Sequence, residues 1–186
     1  MLVIMTGSST APGRLEQVRT FLNTWRVPHE TRTATDDLPE LISDPQRWRS
    51  GFPDIPPPQP NEIGELLDLR TDLRAALGNP APAELVSWFA SHPVVVAVGD
   101  DAEPIRYLAR DAGTAAALLA KVAVALADHR WARLKSCPDC RNVFYDHSRN
   151  HSRTWCSMYA ETPDGRACGS IAKVRNYRNR QRGNRE

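Results

Sequence analysis

Four cysteines, Cys137, Cys140, Cys156 and Cys168, are the only ones in this 186-residue chain, and all lie in its last third. The first pair, Cys137-Pro-Asp-Cys140, has the spacing that lets a backbone turn bring two sulfurs onto one ion. A structural zinc site takes four such ligands in tetrahedral array, and Cys156 and Cys168 are the donors that complete it. The N-terminal Met1-Leu-Val-Ile-Met5 is too short for a signal-peptide core and carries no basic flank. A cytoplasmic location is therefore expected, where thiols stay reduced and clustered cysteines point to metal or redox chemistry rather than disulfides. A redox CxxC normally opens a helix after a strand, whereas strand-like residues and two more cysteines follow this one. His147 and His151 could also ligate zinc, but four thiols already fill the coordination shell. A full set of thiolates leaves no open position for water, so an enzymatic role is not expected.

Within the module, Val143-Phe-Tyr145 and Thr154-Trp155 read as the strands of a hairpin whose turn lies in residues 148–152. A helix is expected from Gly169 onward, with Ile171, Val174 and Tyr177 on one face. About fifty residues with few large apolar side chains bury little surface, so metal binding is expected to supply much of the folding energy.

Charge divides the chain in the same place. Residues 1–129 hold 11 Lys/Arg against 17 Asp/Glu, and residues 130–186 hold 13 against 5. An acidic body with a basic appendage favours a polyanionic partner. Arg149, Arg153, Lys173, Arg175, Arg178, Arg180 and Arg182 are the candidate phosphate-facing cations, and Asn176, Asn179 and Gln181 could read base edges. No stretch reaches the roughly 18–20 apolar residues of a membrane span, so no membrane partner is expected.

The body reads as α+β and mainly helical. Residues 1–14, rich in Ser, Thr, Gly and Pro, are expected to be flexible. Apolar residues at helical spacing predict helices over 15–25, 61–77 and 114–133, with short ones near 37–42, 45–50 and 83–90. Prolines crowd residues 27–60 and exclude long regular elements there. Val94–Val98 and Ile105–Leu108 predict one antiparallel β-hairpin, turning through a Gly99–Pro104 loop in which Asp100-Asp101 reads as turn chemistry. The domain plan is thus a flexible 1–14, a helical and β body over 15–133, and a treble-clef-like zinc module of knuckle, hairpin and helix over 134–186.

These residues resemble a family of bacterial proteins with an N-terminal ABATE domain and a C-terminal CGNR-type zinc finger. The resemblance rests on Cys137-Pro-Asp-Cys140, Val143-Phe-Tyr-Asp146, Ser148-Arg-Asn150, Ser152-Arg153, Trp155-Cys-Ser-Met158, Cys168-Gly169 and Ala172-Lys-Val-Arg175. Phe21-Leu-Asn-Thr24 adds a weaker N-terminal signature. It implies zinc at the four cysteines and a stress-related transcription regulator that binds DNA, and it gives no effector for the N-terminal domain, for which a sensor pocket and a homodimerisation surface are both open. An RNA- or protein-binding module is the alternative. Two departures stand out. The family's Cys-Gly-Asn-Arg reads Cys168-Gly-Ser-Ile171 here, and eleven residues, 157–167, separate the last two cysteines where the family has about four. A Pro163-Asp-Gly165 turn is expected to loop out, at little cost in closure entropy.

Overall fold

The computed structural model describes residues 9–28, 31–157 and 167–183. Among these residues it is α+β, with seven helices and three two-stranded antiparallel sheets. The body runs α1 (Leu15–Leu22), β1 (Trp25–Arg26), β2 (Thr35–Asp36), α2 (Leu38–Ser43), α3 (Pro45–Gly51), α4 (Ile63–Ala75), α5 (Val86–Ser91), β3 (Val94–Val98), β4 (Ile105–Ala109) and α6 (Thr114–Ala127). The module follows as β5 (Leu134–Ser136), β6 (Val143–Tyr145) and α7 (Cys168–Gly183).

Several boundaries differ from those the sequence suggests, each for a local reason. The helix expected to reach residue 133 ends at Ala127, because His129 adopts a left-handed φ of 57°. Arg130 N then donates to Ala125 O and His129 N to Leu126 O, the paired bonds of a Schellman stop usually marked by glycine. Residue 61 is not the cap of α4. Pro60–Glu62 form a 3-10 turn, and Glu62 reaches back to Gln59 N at 2.5 Å. The first helix stops at Leu22, and Trp25 belongs instead to the short β1–β2 pair, which hydropathy did not signal. The β3–β4 hairpin has the expected strands, and Asp100 accepts bonds from Ala102 N and Glu103 N as turn chemistry requires.

The module's hairpin differs most. Val143–Tyr145 pairs not with residues 154–155 but with Leu134–Ser136, so the Cys137–Cys140 knuckle is itself the hairpin turn. One apolar core unites Leu15, Val18, Phe21, Leu22, Leu66, Leu69, Leu118, Leu119 and Val122 of the body with Leu134, Val143 and Tyr145 of that hairpin. The core therefore crosses the expected boundary at residue 133. Alternation along β6 explains how: Val143 and Tyr145 face the body, whereas Phe144, between them, joins the cysteines in a second small cluster.

Polar clips reinforce this junction. Asn23 Nδ2 donates to Val143 O at 2.8 Å and Asn23 Oδ1 accepts from Val143 N at 2.7 Å, so a side-chain amide plays the part of a neighbouring strand. Arg19 Nη1 adds a bond to the same carbonyl at 3.0 Å. Thr24 hydrogen-bonds Phe21 O and accepts from buried Arg70, which is paired with Asp36. Thus Phe21 packs, Asn23 clips and Thr24 braces, which gives that short signature a physical content. From Ser9 on, the expected flexible start is also tied down: Ser9 O accepts from Tyr145 N at 3.0 Å, and Ala11 is buried. Residues 1–8 of that segment lie outside the described residues.

Asn23→Ala leaves the Val143 amide without its partner. It is expected to cost about 2 kcal/mol of stability, and urea unfolding of the metal-loaded protein measures it.

Candidate metal centre

The knuckle is shaped from both sides. Cys137 N donates to Asn142 O and Arg141 N to Cys137 O, both at 2.9 Å, while Arg141 takes a left-handed φ of 60°. From the body, Val27 N donates to Cys140 O at 3.2 Å, Arg32 to Asp139 O at 3.0 Å and Arg74 to Arg141 O at 2.6 Å. Arg74 also lies over the Trp25 ring, 4.7 Å from its centroid, and donates to Leu22 O. Burial and the neighbouring charges of Arg70 and Arg141 lower its pKa to about 10, so it stays charged at neutral pH. None of these contacts was legible from motif spacing.

The cage itself assembles as expected. The sulfur atoms of Cys137, Cys140, Cys156 and Cys168 all lie within 4.8 Å of one another, and all four residues are buried. Cys140 and Cys156 sulfurs are 3.5 Å apart, and those of Cys156 and Cys168 are 3.7 Å apart. A tetrahedron of thiolates around zinc has edges of about 3.8 Å, from Zn–S bonds near 2.3 Å. These separations are far longer than a disulfide bond, and none of the four cysteines is in one. The donor set is thus a closed four-thiolate cage, of the kind that holds a structural ion. His147 takes another role, donating from Nε2 to Thr10 O at 2.7 Å, and His151 is exposed.

Electrostatics explain why such a cage wants a cation. Hydrogen bonds from the Cys140 and Cys156 thiols push Cys137 far below the ordinary thiol range. Their counterpart is that Cys140 and Cys156 are pushed up, chiefly by the same bonds with Cys137, and burial pushes up Cys168. One thiolate is favoured and the next three are opposed. A bound divalent ion removes that conflict, and loading it must release protons.

The enlarged loop does not keep Cys168 away. Gly169 N donates to Ser157 O at 2.9 Å, so the chain leaves and re-enters the cage at neighbouring points. Residues 158–166, including the expected 163–165 turn, lie outside the described residues. Ser170 and Ile171, which replace the family's Asn-Arg, occupy the first turn of α7, where both are half-buried.

A second organising group escaped the sequence reading. Asp146 is fully buried and accepts from Lys135 Nζ at 2.7 Å, Ser148 Oγ at 2.6 Å, Ser148 N at 2.9 Å and Arg153 N at 3.0 Å. These bonds fold residues 146–153 into a loop that carries the chain from β6 to Cys156. Burial alone would raise the Asp146 carboxyl, but Lys135, Ser148 and the backbone donors outweigh it and hold it well below the usual carboxylate range. The signal was present in the spacing Asp146-x-Ser148, an aspartate positioned to bond the backbone two residues on.

The expected cations divide. Arg153 turns inward: its guanidinium stacks on Phe144, 5.1 Å from the ring centroid, and donates to Trp155 O, Cys156 O and Ser9 Oγ. It braces the metal cluster from outside. Arg149, Lys173, Arg175, Arg178 and Arg180 are exposed. The side chains of Asn176, Asn179 and Arg182 lie outside the described ones. The apolar face expected of the last helix is uncovered, with Val174 50% and Tyr177 65% exposed. Only the first turn of α7, through Cys168 and Gly169, is embedded.

Two outcomes follow from this arrangement. Chelating the ion should release residues 155–157 and 168–175 while β5, β6 and the loop that Asp146 organises keep their amide protection in hydrogen exchange. Asp146→Ala should cost about 3 kcal/mol by leaving Lys135 without its buried partner. Because folding lowers the proton affinity of Asp146, its contribution is complete above about pH 4 and is lost as pH falls through the lower folded value. The wild type should therefore lose stability over that acid range more steeply than the variant in pH-dependent thermal unfolding.

No curated protein matches the chain. Residues 133–181 match the family model described as CGNR zinc finger. That stretch spans β5, the knuckle, all four cysteines and most of α7, and its match supports the family resemblance carried by the same motifs: the C-terminal part of this chain is similar to the CGNR zinc finger and gathers four cysteines able to hold a metal ion.

Proposed function

We propose that the four cysteines hold zinc and that the loaded finger binds duplex DNA through α7, as the DNA-contacting part of a transcription regulator. The observation that carries this reading is the character of α7. It leaves the cage with only its first turn embedded, every described side chain from Lys173 on is exposed, and its sequence holds five cations and no carboxylate. Among the described residues no carboxylate of the fold pairs with that charge, and an anion lying against the helix would relieve its self-repulsion.

The zinc cage fixes the helix start rather than reacting. Four thiolates saturate the ion, so it polarises no substrate and activates no water, and the role is binding rather than catalysis. With Cys156 and Cys168 locked to one ion, the direction in which α7 leaves the body is set by the metal. Lys173, Arg175, Arg178 and Arg180 would then supply phosphate contacts, which position a protein on DNA without choosing a sequence. Arg149, exposed in the loop that Asp146 organises, extends the basic surface.

The exposed Tyr177 offers a flat ring that could stack on an unpaired base, which keeps single-stranded RNA as the second reading. Among the described residues no helix is long and apolar enough to cross a membrane.

Binding of zinc-loaded protein to a random-sequence duplex, titrated against salt, tests the proposal. Four phosphate contacts give a log–log slope of roughly −3.6, and Arg178→Ala should shallow it by about one. A slope near zero sinks the DNA reading, and preference for single-stranded RNA over duplex in direct competition transfers the site to the second one.

A further inference from the structure

A cavity of about 300 Å³ opens in the body where α6 packs against α1 and β4, and none of its lining residues belongs to the cysteine cage. Sequence makes the room. Ala117, Ala120, Lys121 and Val124 lie three and four apart, so they share one stripe of α6. Alanine at 117 and 120 leaves a hollow where longer side chains would pack against Leu15 of α1 and Leu108 of β4. Its volume falls at the small end of the range for small-molecule sites, ~300–1,000 Å³.

Lys121 is the charge in this lining that the fold leaves unanswered. It is half-buried, and among the described residues its amine has no hydrogen bond or ion pair. Formal charge around the cavity balances, with Arg14, Lys121 and Arg130 set against Asp54, Glu103 and Asp128. Pairing does not balance. Arg14 lies 3.5 Å from Glu103, Arg130 lies 3.7 Å from Asp128, and Asp54 accepts from Gln17 Nε2 at 3.0 Å. Each carboxylate therefore has another partner, and Lys121 has none. Burial holds its amine below the ordinary lysine range; Asp54 pulls the other way and Arg14 adds to the depression. A cation kept in an apolar recess at that cost, with no protein anion upon it, marks a ligand site.

We infer that this cavity binds a small monocarboxylate with a short apolar body, its carboxylate on Lys121 and its body against Leu15, Ala117, Ala120 and Val124. An anion there makes a charge-assisted hydrogen bond in partly desolvated surroundings, where it is stronger than in water. A neutral molecule would fill the hollow and leave the lysine unmet. A cationic one would face Lys121 and Arg14 at like charge.

The probe is hexanoate, added to the zinc-loaded full chain and followed by amide NMR, with hexanol, hexylammonium and acetate as neutral, cationic and shortened counterparts. Hexanoate should saturate, move the signals of residues 117–124 and bind about tenfold tighter than hexanol, the worth of one charge-assisted bond. Acetate, with the charge and no body, should bind far more weakly, and hexylammonium should not bind. Lys121→Met keeps the stem and removes the charge, whereas Ala117→Leu fills the hollow and keeps the lysine. Both variants should retain the wild-type circular dichroism and weaken hexanoate by about tenfold or more. DNA affinity enters none of these readouts, so failure here is distinct from failure of the proposed function. Absence of saturation, equal affinity for hexanol or acetate, preference for hexylammonium, or unchanged binding by Lys121→Met each overturns the inference.

Discussion

Val143, Phe144 and Tyr145 point their side chains alternately into two different interiors, and the rest of the molecule is arranged around that strand. Two of the three finish the body's hydrophobic core, and the middle one roofs the cysteine cage. Asn23 and Arg19 hold the strand from the side of α1, and β5 holds it from the other. A free-standing finger of this size would depend on its ion to fold. Here half the module is anchored by apolar burial that needs no metal, and an ion in the cage would govern the rest, from Cys156 to the base of α7.

This division of labour assigns the charged residues. Those near the junction face inward on backbone carbonyls: Arg74 and Arg32 on the knuckle, Arg133 on Asp146 O and Ser148 O, and Arg153 on Cys156 O. Arginine suits such work because its planar fork can bridge several carbonyls at once and its charge survives burial. Among the described residues, positive charge beyond the cage, on α7, meets no such acceptors. Counting cations in the sequence merges the two groups, and only geometry separates structural arginines from those left facing solvent.

The ligand set was readable because metal ligation imposes a spacing rule that the chain must satisfy locally at Cys137 and Cys140. The β3–β4 hairpin was readable because branched residues and turn formers sit side by side. Other features depended on partners distant in sequence. The strand facing Val143–Tyr145 could not be chosen by hydropathy, since Leu134-Lys-Ser136 has one apolar residue and looks like the tail of a helix. His129 stopped α6 in a conformation that glycine usually signals. Asp146 looked like any loop aspartate until Lys135 and Arg153 closed over it. The short Phe21–Thr24 signature was visible as letters, but its meaning lies in bonds to residues 70 and 143.

The hydrogen bond from Gly169 N to Ser157 O closes the chain immediately outside the cage. Whatever length of polypeptide lies between those residues is entered and left through the same doorway, and the metal experiences only the two fixed posts. Doubling such a segment costs about 0.6 kcal/mol in closure entropy, small beside what four thiolates give a bound ion. Cys156 and Cys168 are therefore brought to one cage by a bond between their own neighbours, and not by the number of residues in between.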